Sequence, residues 1–137
     1  MSAIERICAI PRDFYALRDR SFYDLIEASG YREIRPTLTI EAIEATLEAN
    51  PELVEPWQLW SMNKRTSGGW ALGGDTERGW YVEQPFPERL PDGRPNTAVR
   101  GERRTYARLS AACADYVLSE IDSALAARDG RKSGRRP

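Results

Sequence analysis

Histidine is missing from this chain, and with it the side chain that most often moves protons near neutral pH and most often ligates zinc. Cysteine occurs only twice, as Cys8 and Cys113, far apart and in no CxxC pattern. A zinc site and a disulfide framework are therefore not expected, and both thiols read as buried and free among apolar neighbours at helical spacing. No apolar run approaches the roughly 18 residues of a membrane helix. The N-terminal stretch has no apolar export region, so no membrane is expected and the cytoplasm is the expected location. A P-loop is absent too. In Asn63-Lys64-Arg65-Thr66-Ser67-Gly68-Gly69 the lysine precedes the glycines, whereas phosphate-binding P-loops place it after them and open a helix.

What remains is an ordinary globular composition: 137 residues, 41% apolar and 30% charged. That length suits one domain able to bury a core without metal or disulfide. The net charge of −1 conceals an asymmetry. Residues 1–60 carry 6 Lys/Arg against 11 Asp/Glu, and residues 61–137 carry 14 against 10. An acidic helical half would suit a basic partner protein, and it repels phosphate backbones, so nucleic acid is not expected.

Periodicity divides the chain into helices, a small sheet and one more helix. Ile4, Ile7 and Cys8 share a helical face before Pro11 ends the run. Ser21 with Asp24 can cap a helix through Leu25 and Ile26, and Gly30 suits its C-terminal end. Tyr31–Pro36 reads as a connector. Thr39 can cap a helix with Ile43 and Leu47 inward, stopped at Asn50-Pro51. A further short helix from about Pro56 places Trp57 and Trp60 a turn apart. Gly69–Leu72 and Gly79–Gln84 read as a hairpin around the Gly73-Gly74-Asp75 turn, with Trp80 and Val82 on one face and Tyr81 on the other. Glu88–Glu102 is a long loop, mobile or functional, and Arg103–Ala107 is a third strand with Tyr106 inward. Ala114, Val117, Leu118, Ile121 and Leu125 stripe the closing helix, with Ser110 as its cap. The expected fold is α+β in two layers: N-terminal helices, a three-stranded antiparallel meander, and a C-terminal helix packed on the sheet. Residues 1–127 form the domain and 128–137 a disordered basic tail.

No catalytic residue, metal site or cofactor is assigned. The carboxylate pairs Glu41/Glu44, Glu52/Glu55 and Asp75/Glu77 fall on wet helix faces or in a turn, where nothing desolvates either member. Ser67 near Lys64 lacks the rigid backbone that a serine–lysine nucleophile needs. Candidate ligand- or partner-binding residues are Trp57, Trp60, Asn63, Lys64, Arg65, Ser67, Tyr81 and Arg104. Four tryptophans within residues 57–80 supply either a core or interface anchors, with Trp57 or Trp60 the one expected outside.

Trp60, Ser61, Asn63, Lys64, Arg65, Gly69, Trp70, Tyr81, Val82, Ala112, Cys113, Ala114, Tyr116 and Val117 form an ordered pattern. Over roughly residues 40–125 it resembles a loose group of small bacterial immunity proteins encoded beside polymorphic toxins. The resemblance implies a protein that binds and blocks a toxin without chemistry of its own, and that Ala112-Cys113-Ala114 marks the close approach of the last helix to the sheet. The leading expectation is thus a non-enzymatic protein-binding module. The alternative is a small anionic-ligand or nucleotide-binding protein, enzymatic or not, with its pocket between helices and sheet.

Overall fold

The computed structural model describes residues 1–64 and 69–134. Its first layer is a succession of short helices: α1 (Ala3–Cys8), α2 (Ile10–Leu17), α3 (Phe22–Ser29), α4 (Tyr31–Ile34), α5 (Ile40–Ala49) and α6 (Val54–Asn63). Single 3-10 turns at Arg35–Thr37 and Pro51–Leu53 join α4 to α5 and α5 to α6. Side-chain caps set several of these starts. Ser2 with Glu5 and Ser21 with Asp24 form reciprocal capping boxes, and the Thr39 hydroxyl accepts the Ala42 amide at 3.1 Å. Pro11 both follows the end of α1 and lies in the first turn of α2, where its missing N–H costs nothing. The expected Tyr31–Pro36 connector is largely helical, because Gly30 turns the chain in a left-handed conformation (φ 84°) and α4 begins at once.

The second layer is an antiparallel meander of β1 (Ala71–Asp75), β2 (Gly79–Glu83) and β3 (Arg103–Tyr106), in that order. Leu72 pairs with Val82, and Val82 with Arg104, so these residues share the inner face. Tyr81 points the other way, toward Gly73 and Thr105. The hairpin differs from the expected one: Gly73, Gly74 and Asp75 belong to the strand, and the turn is Thr76–Arg78. There the Asp75 carboxylate accepts the amides of Glu77 and Arg78. A β-carbon at Gly73 would meet the outer end of the Tyr81 ring, and one at Gly74 (φ 110°) would meet the Gly79 carbonyl and the Trp80 backbone, so Gly74 is where the strand requires glycine.

Helix α7 (Leu109–Gly134) closes the domain, packing on α5 and on all three strands. Ala112, Cys113, Ala114, Tyr116, Val117 and Ile121 are fully buried, joined by Ile7, Ile26, Ile43, Leu47, Trp57 and Val82 in one core. Cys8 and Cys113 are free and buried, and burial first, then the charge of Glu5, raises the Cys8 thiol to about 12. Helix α7 runs on through residues 128–134, the first part of the stretch expected as a tail. Arg32 grips Asp129 at 3.1 and 3.2 Å, and the Arg128 guanidinium lies 4.7 Å from the Tyr23 ring, so the polar extension has side chains to rest on. Leu109 begins α7, and Ser110 hydrogen-bonds Glu48 rather than acting as the cap. The Glu88–Glu102 loop carries a small turn of its own, with Leu90 and Arg94, Gly93 and Leu90, and Asn96 and Glu88 joined through their backbones.

Candidate functional site

Lys64 and Glu120 form a buried ion pair at 2.7 Å, their side chains only 8% and 7% exposed. Glu120 lies within the apolar stripe of α7, one turn after Tyr116, so the helix carries its carboxylate inward. Three donors meet it there: Lys64 Nζ, Trp60 Nε1 at 2.9 Å and the Trp70 amide at 3.1 Å. The ammonium of Lys64 also donates to the Trp70 carbonyl and sits 5.6 Å from the Tyr116 ring. One residue along, Ser61 Oγ accepts the Leu72 amide at 2.9 Å and donates to the Leu72 carbonyl at 3.4 Å. Ser61 of α6 and Lys64, just past its end, therefore satisfy backbone groups of Leu72 and Trp70 along the free side of β1 and its approach. An exposed strand edge is a hazard, and this one is largely covered. Gly69 (φ 87°) lies so close to Glu120 that a β-carbon there would stand 2.7 Å from its oxygen. The Tyr116 hydroxyl, near Ser61 and Glu120, is buried with no well-aligned partner, and burial foremost pushes its pKa well above the ordinary value.

A second closed cluster surrounds Asp115, which is 3% exposed. Arg104 binds it through two nitrogens at 2.7 and 2.8 Å, Tyr106 donates at 2.6 Å and Ser119 at 2.9 Å. The Arg104 guanidinium is covered by the Trp70 ring at 4.4 Å. Burial acts to raise the Asp115 pKa, but the bonds from Arg104, Tyr106 and Ser119 more than offset it and leave it below the usual carboxylate value. A third cluster ties Tyr31 and Arg35 to Asp122. All three join α7 to the elements around it.

On the opposite side of Trp60 lies a cleft of about 650 Å³ between α2, α3, α6 and the second half of α7. Its walls are mostly rings: Phe14, Tyr15, Phe22, Tyr23 and Trp60. Phe22 stacks on Trp60 at 4.1 Å between centroids, and Phe14 meets it edge-on at 5.3 Å. The buried Lys64 and Glu120 line the inner end, the exposed Asn63 lines it too, Ser123, Ala124 and Ala127 form the α7 wall, and Arg89 comes from the long loop.

The structure brings together only some of the residues singled out in the sequence. Trp60, Asn63 and Lys64 line the cleft. Trp57 does not: it is wholly buried, its Nε1 donating to the Cys8 carbonyl at 2.9 Å, and is a core residue rather than an exposed anchor. Tyr81 is on the outer sheet face beneath Arg103, at 3.9 Å, and Arg104 is bound into the Asp115 cluster, so neither lines the cleft. Arg65 and Ser67 lie outside the described residues. The sequence reading missed Phe14-Tyr15 and Phe22-Tyr23 as a site, although the doublets themselves are a signal. Neighbouring helical residues point about 100° apart, so a ring doublet rarely buries both members. Glu120 and Asp115 were missed because acidic residues in an apolar stripe were not followed inward.

No protein-family model, curated protein or solved structure matches this chain. None of its helices among the described residues is long and apolar enough to cross a membrane.

Proposed function

We propose that the protein is a binding module without chemistry of its own, which seats part of a partner protein in the ring-lined cleft and thereby blocks or regulates it. The observation that carries this reading is the cleft itself. It offers apolar contact around Trp60, while the charged groups at its inner end, Lys64 and Glu120, already serve each other. Aromatic surfaces of this kind supply most of the binding energy at interface centres, on the order of 2 kcal/mol or more per anchor. The resemblance to toxin-neutralising immunity proteins points the same way. The pattern behind it has a structural logic as well, since Ser61 and Lys64 secure the strand that begins after Trp70.

A small molecule is the second reading. A volume of about 650 Å³ falls within the ~300–1,000 Å³ of ordinary ligand pockets, with Asn63 and Ser123 among its uncharged polar groups. One experiment separates the two. The tagged chain and its Ala127→Trp variant, which fills the cleft mouth, are expressed in the native cells and purified. A stoichiometric protein retained by the first and lost by the second supports the proposal. A small molecule released on denaturation, with no protein retained, supports the second reading and overturns the first.

A further inference from the structure

From the charge around the cleft we infer that the partner's anchor is an acidic one: a large apolar side chain with an Asp or Glu beside it. This rests on the reading that the cleft seats a partner protein. Among the described residues Glu120 is the only carboxylate lining the cleft, and its oxygens are occupied by Lys64, Trp60 and the Trp70 amide. Lys64 is taken up by Glu120, but two guanidinium groups at or beside the cleft are not held by a carboxylate among the described residues. Arg89 lines the cleft, forms no ion pair among the described residues, and has its one described bond to the Gly93 carbonyl at 3.0 Å. Arg128 is not itself a lining residue but lies over the ring of Tyr23, a wall residue, and likewise forms no ion pair among the described residues; Asp24, whose carboxylate feels its charge, is bound into the Ser21 cap. An apolar floor with one guanidinium group lining it and a second against a wall ring complements a hydrophobic residue flanked by carboxylates, and it disfavours the same residue flanked by lysines. The acidic α5 residues Glu41, Glu44 and Glu48 do not line this site, so the negative charge of the N-terminal half is no guide to what enters it.

The test uses the full chain labelled with ¹⁵N, two peptides, acetyl-Asp-Phe-Leu-Asp-amide and acetyl-Lys-Phe-Leu-Lys-amide, and the tryptophan indole signals as reporters. Trp60 is assigned by its loss in Trp60→Phe. The acidic peptide is expected to shift the Trp60 signal, leave Trp57 unmoved, and bind about fivefold more tightly than the basic one, as two exposed ion pairs would provide. In an Arg89→Gln/Arg128→Gln variant the preference should fall below about twofold. Equal binding, preference for the basic peptide, or no Trp60 shift with either peptide overturns the inference. If such a result accompanies a partner still lost on Ala127→Trp, the anchor chemistry is wrong and the cleft remains the seat. If Ala127→Trp keeps the partner, the cleft reading itself has failed.

Discussion

Trp57 and Trp60 stand one turn apart on α6 and belong to different regions. Trp57 is enclosed by the core, edge-on to Phe22 and Tyr116 at 6.2 and 6.0 Å. Trp60 is the wall between a closed polar joint and an open apolar cleft. On the joint side its indole N–H meets Glu120, and Lys64, Ser61 and the β1 backbone are bonded around it. On the cleft side Phe14 and Phe22 pack against its ring and the space beyond is open. Buried ionisable groups often mark sites of chemistry. Here each buried carboxylate has its oxygens bonded within the fold, and on the proposed reading the surface for recognition is the apolar one.

The largest effect that could break this contrast comes from the joint. Glu120→Ala leaves the Lys64 ammonium buried without its partner and should cost about 3–5 kcal/mol in urea unfolding. The double change Lys64→Met/Glu120→Met should recover the part due to the unpaired ammonium, while the Trp60 indole and Trp70 amide, left without their acceptor, keep the variant below the unmodified protein. A cost below about 1 kcal/mol would place the pair in solvent, contrary to its burial. Asp115→Asn comes next, at about 1.5–3 kcal/mol, because hydrogen bonds to a charged group are weakened together. The carboxyl's pKa is lower in the folded chain than unfolded, so its contribution is present above the unfolded value near ~3.9 and lost as pH falls through the lower folded one. Acid unfolding of the unmodified protein should therefore be steeper below about pH 4 than that of Asp115→Asn, followed by circular dichroism.

Tyr106 tests the same cluster from the alkaline side. Burial first, then its bond to Asp115, raises its phenol to about 12. An acid with a raised folded pKa contributes stability that is full below its unfolded value of about 10 and fades as pH climbs toward the folded one. Stability should decline from about pH 10 to 12, and Tyr106→Phe should flatten the decline while costing about 1 kcal/mol at neutral pH. Ala127→Trp belongs to the cleft, and stability should stay within about 0.5 kcal/mol while partner binding is lost. Tyr116→Phe is the smallest change: removing a buried hydroxyl without a well-aligned partner should be neutral or stabilise by up to about 1 kcal/mol, and a loss above about 1.5 kcal/mol would show a bond at Ser61 or Glu120.

The order of elements was legible because local chemistry writes it. Ser21, Gly30, Thr39 and Asn50-Pro51 cap or stop their helices as their side chains and dihedrals require, and Leu72, Val82 and Tyr81 take the faces that alternation assigns. Gly73-Gly74 read as a turn, because the pair of glycines does not announce the Gly79–Trp80 backbone of the partner strand, which makes a glycine necessary at position 74. The α7 extension was hidden for a similar reason: Arg32 and Tyr23, which meet Asp129 and Arg128, are about a hundred residues away. The site was legible in part. Spacing joined Trp60, Asn63 and Lys64, but folding alone sends Trp57 to the core, Tyr81 to the outer sheet face and Arg104 to Asp115. Phe14, Phe22 and Ala127 reach the same cleft only through the packing of three separate helices.

Calorimetric titration of the captured partner into three forms of the chain tests the central claim most directly. With the cleft as the seat, Ala127→Trp should weaken binding at least a hundredfold, on the order of 3 kcal/mol. Tyr81→Ala, on the outer sheet face, should leave it within about threefold of the unmodified protein. Binding unchanged by Ala127→Trp and lost with Tyr81→Ala would contradict it, and would move recognition from the rings around Trp60 to the open side of the sheet.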